Sequence, residues 1–130
     1  MLKISSCPSN IRVVEGFVQH LCKEMNVRQE LYPNILISLT EAVNNAIRHG
    51  NNLDETKKVE IRLVKKQPNR LCLQVSDEGC GFNINEVKDP TTNENVFRIG
   101  GRGVFLIREL ADEVHFLNNG STVEMAFKIG

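Results

Sequence analysis

Apolar positions along the chain follow two different periods, and the switch between them organises it. Val13, Val14, Phe17, Val18, Leu21 and Met25 recur at spacings of three and four, which predicts an amphipathic helix with these residues inward. Cys7-Pro8-Ser9 marks its start, since Pro suits the first helical position. Leu2-Lys3-Ile4, just before, predicts a short strand. Pro33 opens a second helix whose apolar stripe is Ile35, Leu36, Leu39, Val43, Ala46 and Ile47. Gly50 is expected to supply the left-handed residue that ends it. The period then becomes two. Val59, Ile61 and Leu63 alternate with Glu60 and Arg62, Leu71, Leu73 and Val75 alternate with Cys72, Gln74 and Ser76, and Gln67-Pro68-Asn69-Arg70 reads as the turn between them. Val114 to Leu117 and Thr122 to Phe127 flank Asn118-Asn119-Gly120, which predicts a second hairpin. Between the hairpins, Asn83 to Gly100 is polar and irregular, and Arg102 to Leu110 reads as a helix with Val104, Phe105, Ile107 and Leu110 inward. Strands with one apolar face need a cover on that face alone. The expected fold is therefore α+β: a two-layer α/β sandwich, with helices on one face of a mainly antiparallel sheet. A polar loop as long as 83–100 in so small a domain is characteristic of a functional lid or a disordered segment.

Length and charge narrow the function classes. The 130 residues suit a single domain, 1–130. Sixteen basic residues balance sixteen acidic ones, so no large positive field is available for direct nucleic-acid or anionic-membrane binding. No apolar run is long enough to span a bilayer, and the start, Met1-Leu2-Lys3-Ile4-Ser5, does not read as a signal peptide. The four cysteines, at 7, 22, 72 and 80, form no CxxC and suggest reduced thiols in a cytoplasm. The three histidines, His20, His49 and His115, fall at no zinc-binding spacing.

Three stretches carry candidate chemistry. In Thr40 to Gly50 helical spacing places Glu41, Asn45 and Arg48 or His49 on one side, with Asn44 beside them. Polar helix faces ordinarily meet water, and cations near a helix C-terminus complement its dipole. Two adjacent Asn in mid-helix, however, cost some stability. Ser76 to Phe82 ends a strand on Asp77 and follows it with Gly79 and Gly81. Glycine permits close backbone approach, and an ionised carboxylate only accepts hydrogen bonds, which suits an amine-bearing heterocycle such as adenine. An acidic turn after a strand explains the same residues more simply. Gly101, Arg102 and Gly103 lead into a helix whose first N–H groups can hold phosphate. This is neither a Walker A motif nor a Rossmann fingerprint, and alone it is no more than a flexible connection.

The order of the three, a Glu/Asn helix, Asp-x-Gly-x-Gly, a polar loop, then Gly-x-Gly opening a helix, resembles the GHKL ATPases. More narrowly the chain resembles the small anti-sigma-factor serine/threonine kinases of bacteria. "EAVNNAIRHG" is similar to their N box, "DEGCGF" to their first glycine box, "GGRGVFLIRELADEV" to their second, and "ISSCPSNIRVVEGFVQHL" to their first helix. The resemblance spans nearly the whole chain.

It implies an ATP-binding Bergerat fold. Asn45 would ligate Mg²⁺, and Glu41 would be the general base of phosphoryl transfer. Asp77 would accept from the adenine amino group above the turn formed by Gly79 and Gly81, and 83–100 would be the ATP lid. Gly101, Arg102 and Gly103 would cradle phosphates, and Thr122, in "GSTVEM", would lie near the adenine. His49 belongs to the N box and so is a candidate for the nucleotide pocket, but a cap and packing role is the simpler explanation of it. The implied partners are a sigma factor and a STAS-domain anti-anti-sigma protein carrying the acceptor Ser or Thr, with a PP2C-type phosphatase in the pathway and a homodimer as the expected assembly. Two other readings stay open. One is a non-catalytic module whose nucleotide shapes the lid for a partner; the other is the detached ATP-binding part of a histidine kinase, though no phospho-acceptor helix hairpin is present. "TTNENVFRIGGRG" departs from the kinase pattern, which sets a basic residue closer to the glycines; Arg98 and Arg102 are the candidates to replace it.

Overall fold

A computed structural model describes residues 1–64, 69–79 and 101–129, with 101–103 described by backbone alone. Strand β1 (Leu2–Ser5) leads through a 3-10 turn, Pro8–Asn10, into helix α1 (Ile11–Glu24). Helix α2 (Tyr32–Asn45) continues directly into a π-helical turn, Ala46–Gly50. Strands β2 (Lys58–Val64) and β3 (Arg70–Ser76) follow. Helix α3 (Gly101–Leu110), strand β4 (Glu113–Leu117), a short turn at Asn118–Gly120 and strand β5 (Thr122–Lys128) complete the order. The sheet runs β1-β2-β3-β5-β4 with every pair antiparallel. The expected α+β sandwich is the observed one.

Period-two alternation sets the register. Leu2, Ile61, Val75, Val123 and Phe116 align as one row across all five strands, and Leu63, Leu73, Met125 and Val114 form the next. A slip of one residue would turn every one of these side chains to the other face. Against the rows pack Val14, Val18 and Leu21 of α1, Ile35, Leu39 and Val43 of α2, and Ile107 of α3. Each such side chain, when fully buried, contributes about 1.5–3 kcal/mol. Cys7 and Cys22 are free thiols, and burial pushes the Cys22 pKa up. No helix among the described residues is long and apolar enough to cross a membrane.

Several expectations need correction. Pro8 opens the 3-10 turn rather than α1 itself, which begins at Ile11. Val13 and Phe105, assigned inward, are 45% and 40% exposed, each beside a buried stripe residue, Val14 and Val104, on its helix. Gly50 is not left-handed. The left-handed residues after α2 are Asn52 (φ 51°) and Leu53 (φ 61°). The helix ends by widening, with the Asn51 N–H reaching back five residues to the Ala46 carbonyl at 2.8 Å. The second hairpin turns at Asn118, Asn119 and Gly120, all with positive φ, as Asn and Gly allow. The Gln67-Pro68 part of the first turn and the polar loop 83–100 lie outside the described residues.

Candidate functional site

A cleft opens between α2, α3 and the adjoining ends of β3 and β5. Its apolar lining comes from Ala42 and Ala46 of the second helix and its π turn, Val104 and Ile107 of α3, and Val75 and Val123 of the sheet. Four polar residues look into it: Asn45, His49, Asp77 and Ser121. An apolar slot with few polar groups is the form expected for a flat heterocycle.

Asp77 follows β3 directly, and its backbone N–H donates to the Ser121 carbonyl at 2.9 Å, extending the ladder by one step. Its Oδ1 accepts the Gly79 N–H at 2.8 Å. Burial pushes its pKa up, opposed by that hydrogen bond and by the charge of Lys57. The carboxylate lies against the α-carbon of Gly50: a Cβ there would fall 2.2 Å from Asp77 Oδ2. A Cβ on Gly79 would fall 1.9 Å from the Gly50 carbonyl oxygen. Both glycines therefore serve close approach of the Asp77 turn to the end of the second helix, not an unusual φ.

The helix wall presents Asn45 and, one turn on, His49, whose pKa is lowered by burial and by neighbouring Arg48. No hydrogen bond engages the Asn45 or Glu41 side chain among the described residues. Glu41 stands one turn before Asn45, half-buried, and is not among the residues lining the cleft. An unengaged amide oxygen on the cleft wall is the kind of hard donor that Mg²⁺ accepts, so Asn45 fits a magnesium ligand. Among the described residues no cluster of three His, Cys, Asp or Glu could hold a metal alone, so phosphates and water would complete the shell.

The structure separates some expected site residues from the cleft. Thr122 sits on the other face of the sheet, paired in register with Ser76, and their hydroxyl oxygens are 2.9 Å apart. Its neighbour Ser121 lines the cleft instead, its hydroxyl donating to the Asn118 carbonyl at 2.9 Å. Gly101, Arg102 and Gly103 form the first turn of α3. Gly81 and the segment 83–100 lie outside the described residues. Asn51 was not anticipated at all. It is completely buried, and its amide ties the end of the second helix to the Asp77 turn.

The chain is 26% identical over 131 residues to a serine-protein kinase RsbW of Bacillus subtilis, covering 95% of this chain and 81% of that protein. It is 28% identical to the serine-protein kinase RsbW of Listeria monocytogenes, covering 95% and 83%. Among solved structures it is similar to the RsbU and RsbW domains of a Mycobacterium tuberculosis protein, with a TM-score of 0.65 at 16% identity. That match covers 98% of this chain and 32% of the other. The profile of the histidine kinase-like ATPase domain matches residues 4–127, nearly the full length, and the chain belongs to that family.

Proposed function

We propose that this chain is a serine/threonine protein kinase of the anti-sigma type, working as a single domain over residues 1–130 in the cytoplasm. It binds ATP with Mg²⁺ in the cleft, phosphorylates a STAS-domain anti-anti-sigma protein, and otherwise holds a sigma factor. A PP2C-type phosphatase reverses the modification, and the protein works as a homodimer. The observation that carries the nucleotide reading is the Asp77 carboxylate, fixed by the Gly79 N–H at the polar end of an apolar slot whose helix wall offers an unengaged Asn45 amide. The kinase reading is supported by relatives named as serine-protein kinases that align over nearly this whole chain.

Each residue has a distinct task. Asp77 accepts the adenine amino group, and Val75, Val123 and Ile107 exclude water around the base. Asn45 helps hold Mg²⁺, which neutralises phosphate charge when bound. Glu41 takes the proton of the acceptor hydroxyl as its oxygen bonds to the γ-phosphorus and the bond to the ADP leaving oxygen breaks. Gly101 and Gly103 present the first N–H groups of α3 to the phosphates. Arg102 supplies positive charge there.

Calorimetric titration of Mg-ATP tests binding: wild type binds, while Asp77→Asn and Asn45→Ala lose affinity. Glu41→Ala keeps the affinity and loses phosphoryl transfer to a STAS protein. A second reading, a nucleotide-dependent module without catalysis, is favoured by one observation, the position of Glu41 outside the cleft lining. Transfer that continues at the normal rate in Glu41→Ala removes Glu41 as base, and wild type that binds ATP without transfer establishes the second reading.

A further inference from the structure

Asn51 is 0% exposed, and every hydrogen-bonding group of its amide is used. Its Nδ2 donates to Ser6 Oγ at 2.7 Å and to the Lys58 carbonyl at 3.0 Å. Its Oδ1 accepts the backbone N–H of Glu78 at 2.8 Å. Ser6 is itself buried, and its hydroxyl donates a hydrogen bond to the Lys57 carbonyl at 2.8 Å. One side chain thus joins three backbone segments: the loop after β1, the start of β2, and the turn that carries Asp77. The join to the turn lies between Asp77 and Gly79, at the residue whose flanking groups make the Asp77 Oδ1 bond. Asn51 also follows Gly50, against which the Asp77 carboxylate packs.

We propose that Asn51 is a positioning residue for the base-binding half of the cleft, and that it sets adenine selectivity through the Glu78 N–H. The inference rests on the nucleotide reading above. Two constraints act on the turn from opposite sides. Gly50 and Gly79 let it approach the helix end, and without a directional bond that contact could slide. The Asn51 Oδ1 supplies the direction in a place water does not reach. The other hold on Glu78, from the Lys58 N–H to its carboxylate, lies at an exposed side chain where water competes. Purine selectivity is sensitive to such placement. An acceptor aimed at an amino group binds adenine and repels the keto oxygen of guanine, and the discrimination decays as the acceptor wanders.

The test uses the full chain and three variants, each checked for folding by circular dichroism. Amide hydrogen exchange of Glu78 is measured by NMR, with Asp77, whose N–H bonds Ser121, as internal control. Dissociation constants are measured for Mg-ATP and Mg-GTP. Asn51→Ala is expected to speed Glu78 exchange relative to Asp77 and to cut the ATP/GTP preference about tenfold. Asn51→Asp keeps an acceptor for Glu78 but loses the donors, so it retains most of the preference despite lower stability. Ser6→Ala breaks the network on the far side and leaves both readouts near wild type. Asn51→Ala that keeps Glu78 protection and nucleotide preference overturns the proposal, as does Ser6→Ala with the same loss of preference. Wild type that binds neither nucleotide overturns the nucleotide reading, and the exchange rates then decide whether Asn51 holds this turn.

Discussion

Replacing Gly50 by Ala places a methyl group where the Asp77 carboxylate now lies. The three atoms nearest the new Cβ are Oδ2, Cγ and Oδ1 of Asp77, at 2.2, 2.3 and 2.8 Å. To reach ordinary contact the carboxylate must withdraw by about 1.2 Å, which takes a hydrogen bond of normal length out of range. A hydrogen bond to a charged group is worth about 1.5–3 kcal/mol, and 1.4 kcal/mol is tenfold in Kd. Gly50→Ala is therefore expected to weaken ATP binding about ten- to a hundredfold in calorimetric titration. The clash also destabilises the empty protein by about 1–3 kcal/mol, the usual cost of overpacking. Because φ at Gly50 is not left-handed, Ala itself is compatible with the backbone there. The cost should vanish once Asp77 is shortened: in an Asp77→Ala background, Gly50→Ala becomes neutral or gains about 0.4–1 kcal/mol from the unfolded chain. Urea denaturation of the four proteins gives the cycle, with a coupling of about 2 kcal/mol. Gly79→Ala is the contrasting control, since its Cβ meets the Gly50 backbone carbonyl at 1.9 Å, which no side-chain rotation relieves. Additive effects of Gly50→Ala and Asp77→Ala would refute the reasoning.

Asp77→Asn keeps the acceptor for the Gly79 N–H and removes a charge that burial disfavours. The raised pKa of Asp77 means that its favourable contribution is present below about pH 3.8, the ordinary value, and is lost as pH rises through the folded-state pKa. Asp77→Asn should accordingly be more stable than wild type at neutral pH, with the difference shrinking on acidification in thermal melts, while ATP affinity falls. Ser38 is completely buried in α2, and among the described residues its hydroxyl has no hydrogen-bond partner. Ser38→Ala should be neutral or stabilising by about 0.5–1 kcal/mol in urea denaturation; a loss above 1 kcal/mol would reveal a partner for that hydroxyl. Thr122→Val should cost stability, by removing the hydroxyl contacts with Ser76 and Asn118, and leave the ATP dissociation constant within about twofold. A larger change would restore Thr122 to the base-binding set.

The sheet was legible because its code is short. Val59-Ile61-Leu63, Leu71-Leu73-Val75 and Val123-Met125-Phe127 each place large apolar residues at every second position, and that period specifies both strand and face. The same code placed Ser121 on the inner face and Thr122 on the outer, so that distinction was present in the phase of the strand. Burial does not reveal it, for Thr122 to Phe127 are all buried. Helix edges were less legible. Val13 and Phe105 extend apolar stripes whose outer limit is decided by neighbouring elements, and those are not in the local pattern. Asn51 was invisible for a related reason. An Asn after a glycine reads as a turn residue, and nothing local distinguishes an amide facing water from one that closes three backbone segments.

Gly50 shows how one residue can satisfy two rules and obey only one. A glycine after a helical stripe is commonly the left-handed cap, because only glycine adopts that conformation freely. Here the chain widens into a π turn, and the left-handed positions pass to Asn52 and Leu53. The widening moves the helix end without breaking it, so Gly50 still faces the sheet side where Asp77 arrives. A conventional cap at Gly50 would have turned the backbone one residue earlier, taking Asn51 out of reach of Glu78. The π turn, the missing Cβ and the buried amide act at one place, where the helix that carries Asn45 meets the turn that carries Asp77.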